Sequence, residues 1–227
     1  MKRLGILGGM GPAASAEFYR RLTDLTPAIV DQDHISCVIW SDPTVPDRSS
    51  SLINRDDLPW DKLKQGILGL KAAGCDQIVI PCNTAHFWYD RLNQLGVPVI
   101  HIVDSVAEEL RSHGITDGSI GIIGTQATMR LGLYQHHLAK LGYSCITPGA
   151  QEIDILVQPA IDLIKANNLP AAYELLMKAI DKLHSWGVAA IVLGCTEIPL
   201  AIKDSYYKDI PLINSIDSLV NAAIKSR

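Results

Sequence analysis

The sequence predicts an α/β fold with two pseudo-symmetric lobes, each built on a mainly parallel sheet flanked by helices. Two observations predict this class. Short apolar runs typical of buried strands alternate with longer amphipathic segments, which is the order expected of parallel sheets covered on both faces. The chain also resembles itself when it is shifted so that Cys82 falls on Cys195.

The elements follow from the apolar pattern. Strands are predicted where apolar residues run together between turn signals, at residues 4–7, 35–40, 77–80, 98–102, 119–124, 189–194 and 211–214. Helices are predicted where apolar residues recur at helical spacing, as in residues 60–73, 126–141, 170–186 and 215–226. Strand and helix therefore alternate along the chain.

The internal repeat divides the chain. The shift that superimposes the two cysteines also matches Gly74 with Gly187, Ile78 with Ile191, Pro98 with Pro211 and Ser105 with Ser218. Fold repetition alone would explain glycines and branched residues, but packing would accept Ala, Val or Ser where both copies have cysteine. We predict a first lobe of residues 1–100 with 211–227, a second lobe of residues 101–210, and an active site in the cleft between them.

Composition narrows the class of partner. The chain has 227 residues, is 48% apolar and carries a formal net charge of −4, with its 20 Lys and Arg scattered along it. This distribution argues against a nucleic-acid partner. Apolar runs are shorter than a membrane span, and the opening MKRLGILGGMGP breaks into glycines before a signal-peptide core could form. We therefore expect a cytoplasmic protein with no membrane partner.

The five cysteines indicate free thiols. An odd number at irregular spacing, with no export signal, argues against a disulfide framework. The sequence contains neither a CxxC pair nor an HExxH motif, so it gives little support for a zinc site. We expect no metal.

Cys82 and Cys195 both follow predicted strands, where parallel sheets bind ligands. If the two sulfurs flank one carbon, a thiolate on one face can remove a proton while a thiol on the other face delivers one, inverting the stereocentre. A helix N-terminus would lower the pKa of such a thiol, whereas burial would raise it. The sequence does not decide between these two effects.

Covalent catalysis is the rival chemistry. His86 lies four residues after Cys82 and could serve as the base for a cysteine nucleophile. A core or surface histidine is an equally good reading of His86. The nucleophile mechanism also leaves the second cysteine without a role.

Three motifs in this order, GGMGP at 8–12, PCNTAH at 81–86 and LGCTEIP at 193–199, resemble those of the aspartate/glutamate racemase superfamily, specifically the cofactor-independent aspartate racemases. Glutamate racemases look different, since they open with an Asp-Ser pair rather than Gly-Gly-Met-Gly and carry Gly-Cys-Thr-His where this chain has GCTE at 194–197. The resemblance implies a homodimer that moves the α-proton of aspartate, or of glutamate, without pyridoxal phosphate, metal or any other cofactor.

The resemblance also assigns site residues. Cys82 and Cys195 match the catalytic thiols, and Arg48 matches an arginine whose planar fork suits a carboxylate. Glu197 would face the substrate ammonium or tune Cys195. The residues expected to bind substrate are Met10, Arg48, Asn83, Thr84, Lys165, Thr196 and Glu197, with Thr125 as a further contact.

Other functions stay open. The same thiols could racemise glutamate or a broad range of amino acids, or isomerise maleate, although Glu197 favours a substrate with an ammonium group. GMGPAA at 9–14 also fits a loose dinucleotide-binding pattern, with Asp42 after the second strand, which is what an NAD-dependent dehydrogenase would show. A non-enzymatic binding protein would keep its function when either cysteine is replaced.

Overall fold

The computed structural model describes residues 2–227. They form two compact units: unit 1 contains the chain up to Ser105 together with Ile216–Arg227, and unit 2 is Val106–Ser215. The boundaries predicted after residues 100 and 210 fall shortly before these positions. The predicted α/β class is confirmed, because each unit carries a mainly parallel sheet and helices.

Unit 1 is built on a three-stranded parallel sheet of order β2-β1-β3, formed by β1 (Leu4–Gly8), β2 (Cys37–Ser41) and β3 (Gln77–Val79). Its helices are α1 (Pro12–Leu25), α2 (Arg48–Asn54), α3 (Trp60–Ala72) and α4 (Tyr89–Asn93). The strand predicted at 98–102 is reduced to a single parallel bridge between Ile78 and Val99. Helix α5 (Ile102–Ser112) begins where that strand would have continued.

Unit 2 has a five-stranded sheet of order β5-β4-β6-β8-β7, from β4 (Gly118–Gly124), β5 (Tyr143–Ile146), β6 (Ala190–Gly194), β7 (Tyr206–Tyr207) and β8 (Ile210–Asn214). Only the β7–β8 pair among these strands is antiparallel. The helices are α6 (Gln126–Arg130), α7 (Leu133–Leu138), α8 (Ala150–Glu152), α9 (Gln158–Lys165), α10 (Leu169–Ser185) and α11 (Ile198–Ala201).

The single helix predicted over 126–141 is wrong, because the segment breaks into α6, α7 and a 3₁₀ turn at Ala139–Leu141. Gly132 separates α6 from α7 with a φ of 72°, a left-handed conformation that a right-handed helix cannot contain. Apolar periodicity continues across this break and therefore does not reveal it.

The two units repeat each other in detail. A Cβ added at Gly5 would lie 3.1–3.2 Å from Ile78, Cys75 and Leu70. One added at Gly121 would lie 3.1–3.4 Å from Ile191, Leu183 and Val188, which are the counterparts of those three residues in the internal repeat. In each unit the first strand therefore carries glycine where the next strand and its preceding helix approach closely.

The last helix of each copy of the internal repeat belongs mostly to the other unit. Helix α12 (Ser215–Lys225) is the counterpart of α5 in the internal repeat. Residues of α5 from Val106 onward belong to unit 2, while those of α12 from Ile216 onward belong to unit 1. Arg21 of α1 holds α12 by donating to both carboxylate oxygens of Asp217, at 2.6 and 2.8 Å. Unit 1 is therefore built from two separate stretches of chain.

Among the helices of residues 2–227, none combines the length and the apolar character needed to span a bilayer.

Candidate active site

Cys82 lies just beyond the carboxyl end of β3. The strand ends at Val79, and Pro81 has no N–H with which to extend the ladder. The Cys82 N–H instead donates to the Ile80 carbonyl oxygen at 2.7 Å, and a 3₁₀ turn (Thr84–Trp88) follows. The Cys82 side chain is buried, with 5% of the residue's surface exposed.

Asn83 and Thr84 are buried beside Cys82. The Asn83 side chain makes no capping hydrogen bond to the turn that follows, so the capping role that its position permits is not used. These two polar residues therefore lie in the buried segment that carries the thiol.

Met10 and Arg48 meet in unit 1. Met10, in the loop between β1 and α1, belongs to the same buried apolar cluster as Cys82. The Arg48 guanidinium donates to three backbone carbonyl oxygens at 3.2 Å, through Nη1 to Val45 and Pro46 and through Nη2 to Met10. Its Nε atom is buried and has no partner among the described residues. Arg48 thus holds the Met10 backbone and keeps one donor unused.

Cys195 follows β6 directly in unit 2. Its Sγ donates to Oε2 of Glu197 at 3.0 Å, and Thr196 Oγ1 donates to the same oxygen at 3.4 Å. The side chains of Cys195, Thr196 and Glu197 are all buried. Cys195 is therefore a protonated thiol that donates a hydrogen bond to a carboxylate.

Burial, Glu197 and Lys165 together set the acidity of Cys195. Burial raises its pKa well above the ordinary value, and the charge and hydrogen bond of Glu197 raise it further. A hydrogen bond from the Glu197 backbone N–H lowers the pKa of Cys195 by a smaller amount, and the positive charge of Lys165, at the end of α9, lowers it by less still. The structure therefore resolves the competition left open by the sequence, because burial and Glu197 together raise the pKa by more than the opposing effects lower it.

Tyr134 and Ser215 support the strand end behind Cys195, and sequence reasoning missed both. Ser215 Oγ donates to the Leu193 carbonyl oxygen at 2.8 Å. The Tyr134 hydroxyl is hydrogen-bonded to Ser215, and burial raises the pKa of Tyr134. The ring leaves no room for a side chain at Gly194, where a Cβ would lie 2.9 Å from it. A buried tyrosine in an apolar segment looks like any core residue before the structure is known.

His86 does not act on the Cys82 sulfur in the way that the nucleophile mechanism requires. Its Nδ1 lies 2.9 Å from the Cys82 carbonyl oxygen, and its Nε2 is buried without a partner among the described residues. Burial lowers the pKa of His86 to about 4. A ring of this low basicity, bonded to the main chain, is poorly suited to deprotonate a thiol.

The expected site residues thus form two groups. Unit 1 contains Met10, Arg48, Cys82, Asn83 and Thr84, and unit 2 contains Lys165, Cys195, Thr196 and Glu197. Thr125 caps α6 by accepting from the Thr128 N–H, a structural role in unit 2. Each group contains one buried cysteine at a strand end, a group that could exchange one proton with a substrate.

Comparisons with known proteins agree on a family. The profile of Asp/Glu/hydantoin racemases matches residues 7–223. The broad-specificity amino-acid racemase RacX of Bacillus subtilis (strain 168) is 29% identical over 228 residues, covering 98% of this chain and 97% of that protein. The aspartate racemase of Picrophilus torridus has a similar structure, with a TM-score of 0.87 and 32% identity over 100% of this chain and 94% of the other. The structure of an aspartate racemase homologue from Pyrococcus horikoshii OT3 is also similar, with a TM-score of 0.78 and 25% identity. The match covers 100% of this chain and 99% of that one.

Proposed function

Because the chain belongs to the Asp/Glu/hydantoin racemase family and is therefore an isomerase, we propose that it interconverts L- and D-aspartate with Cys82 and Cys195 as its two acid–base groups. The observation that carries this proposal is the recurrence of a buried thiol at the same position after β3 and β6. Similarity to the Picrophilus torridus aspartate racemase supports aspartate as the substrate.

In one direction the Cys82 thiolate takes the α-proton and becomes a thiol. The Cys195 thiol gives its proton to the opposite face of the same carbon and becomes a thiolate, so protons and charge balance. The reverse direction exchanges the two roles. The hydrogen bond from Cys195 to Glu197 supports Cys195 as the proton donor at rest, because it favours the thiol.

The α-proton of an amino acid is a very weak acid, so the enzyme must stabilise the carbanion. Donors that converge on the α-carboxylate would do this electrostatically in a water-poor site. Arg48, with its unused Nε, and the amide side chain of Asn83 are our candidates in unit 1. In unit 2 we propose the Thr196 hydroxyl and the Lys165 ammonium, and we propose that Met10 and Thr84 contact the bound substrate.

The test is incubation of each aspartate enantiomer in deuterated water without added cofactor. Circular dichroism would report inversion, and mass spectrometry would report deuterium at the α-carbon. We expect both signals from both enantiomers. If neither enantiomer takes up deuterium, the assignment to aspartate is wrong.

A broad-specificity amino-acid racemase is the second candidate, favoured by the full-length similarity to RacX of Bacillus subtilis. Running glutamate and a panel of neutral amino acids beside aspartate separates the two. A kcat/KM for aspartate at least tenfold above every other substrate would support the first proposal. Comparable values would support the second.

We further propose a cytoplasmic homodimer, as the sequence resemblance implies. Light scattering behind size-exclusion chromatography measures the mass directly. A mass near that of the 24.7 kDa chain would contradict the dimer.

A further inference from the structure

The imidazole of His86 is a buried titratable group that the proposed reaction does not use. A carbonyl oxygen only accepts hydrogen bonds, so the 2.9 Å contact with Cys82 means that Nδ1 carries the proton and donates it. Burial holds the pKa of His86 near 4, so the ring is neutral at physiological pH. A neutral donor therefore faces the main chain of the residue that bears the thiol.

The hydrogen bond from His86 to the Cys82 carbonyl oxygen adds to two backbone hydrogen bonds in the same short segment. The Cys82 N–H donates to Ile80, and the His86 N–H donates to the Asn83 carbonyl oxygen at 3.0 Å. With the ring on the Cys82 carbonyl oxygen, both backbone polar groups of Cys82 are bonded within a few residues. The peptide plane between Cys82 and Asn83 is thereby fixed, and with it the direction in which the Cys82 side chain leaves the backbone.

The His86 ring lies in a cluster of rings, while its direct link to Cys82 is the Nδ1 hydrogen bond. The His86 ring stands edge-on to His101 with 5.2 Å between centroids, and Tyr89 packs against both rings. His86 Nε2 is buried without a partner among the described residues, an arrangement that costs stability. An apolar side chain would avoid that cost, but it would also lose the Nδ1 donor that holds the Cys82 carbonyl oxygen.

We propose that His86 is a positioning residue, which holds the Cys82 sulfur in the geometry that proton transfer requires by fixing the Cys82 carbonyl group. The proposal rests on the proposed function, in which Cys82 exchanges a proton with substrate. Misplacing a reacting group by about 1 Å can cost about 100-fold in rate. Loss of this hydrogen bond should therefore slow the proton transfer that Cys82 carries out and leave the rate of the transfer at Cys195 unchanged.

Three variants test this. His86→Leu removes the donor, whereas His86→Asn keeps an N–H near the position of Nδ1. His101→Leu is the matched control, because it removes a buried imidazole from the same ring cluster. The His101 ring lies 5.2 Å from that of His86, and its Nδ1 accepts from the Val103 N–H.

Three measurements are made on each variant. Deuterium uptake at the α-carbon from each aspartate enantiomer separates the half-reactions, with Cys82→Ala identifying the enantiomer that depends on Cys82. Hydrogen exchange of the peptide spanning residues 80–88 reports the local backbone and needs no activity. Thermal midpoints give overall stability.

In His86→Leu we expect about 10- to 100-fold slower uptake from the enantiomer that depends on Cys82, with KM within threefold, and faster amide exchange in residues 80–88. His86→Asn should restore both, and His101→Leu should lose thermal stability without either change. Equal loss from both enantiomers, or failure of Asn to rescue, would reduce His86 to a structural residue. If the wild-type protein racemises no amino acid but His86→Leu still shows faster amide exchange in residues 80–88, the proposed function is wrong. The role of His86 in holding the Cys82 backbone would then still stand.

Discussion

The segments around Cys82 and Cys195 share a register and differ in what supports the thiol. Each cysteine follows a buried parallel strand at the same place in the internal repeat. His86 of the first segment corresponds to Pro199 of the second, and Thr84 corresponds to Glu197. In the first segment the His86 imidazole is hydrogen-bonded to the main-chain carbonyl oxygen of Cys82. In the second segment the Glu197 carboxylate is hydrogen-bonded to the sulfur of Cys195.

This difference teaches that a duplicated scaffold need not carry a symmetric pair of acids. In unit 1 the support is geometric, because a neutral ring donates to a carbonyl oxygen. In unit 2 it is electrostatic, because burial and Glu197 raise the pKa of Cys195. The repeat supplies two thiols, and the residues after each thiol make them different.

Replacing either cysteine should have the largest effect. We expect Cys82→Ala and Cys195→Ala each to lower racemisation about 1,000-fold, because each removes one of the two proposed proton-transfer groups. Deuterium uptake should survive from one enantiomer only, and from opposite enantiomers in the two variants, since one base remains in each. Uptake that survives from the same enantiomer in both variants would contradict the two-base division of roles.

Acid should destabilise unit 1 through His86. The unfolded state binds a proton on this histidine near pH 6.5, whereas the folded state resists it until about pH 4. The free energy of unfolding should therefore fall by about 3 kcal/mol from this group as the pH drops through that window, and stay level above it. Urea denaturation of wild type and His86→Asn at several pH values isolates the effect. If the free energy of unfolding has the same pH dependence in wild type and in His86→Asn, the pKa of His86 is not lowered by folding.

The equivalent glycines of the two first strands should respond alike. Gly5→Ala and Gly121→Ala each press a methyl group against three buried side chains at 3.1–3.4 Å. Each should cost about 1–3 kcal/mol of stability, because the packed neighbours must move by a few tenths of an ångström. Thermal denaturation measures both. A large loss in one variant with none in the other would show that the two strand–helix contacts are not equivalent.

The smallest change is expected from Glu197→Gln. Removing the carboxylate charge takes away one cause of the raised pKa of Cys195, so the pKa of this thiol should fall. Alkylation of Cys195 by iodoacetamide at neutral pH, followed in a Cys82→Ala background, should become several-fold faster. Unchanged alkylation with an intact fold would leave burial as the sole cause.

The sequence was sufficient for the fold class and for singling out the two thiols, because apolar runs and a constant spacing can be read from the letters alone. It failed where a local choice depended on neighbours in space. The run at 98–102 looks like a strand, yet His101 accepts from the Val103 N–H and the chain turns into α5. Likewise, the i, i+4 spacing of Cys82 and His86 indicated proximity but not that the ring would face the carbonyl oxygen rather than the sulfur.

The exchange of α12 into unit 1 has a consequence for synthesis on the ribosome. Unit 2 is a continuous stretch, so all of its residues exist once Ser215 has been made. Unit 1 flanks it on both sides, and Arg21 lacks its partner Asp217 until the whole of unit 2 has been translated. Unit 1, which carries Cys82, can therefore be completed only after unit 2 has been translated, whereas domains made first usually also fold first.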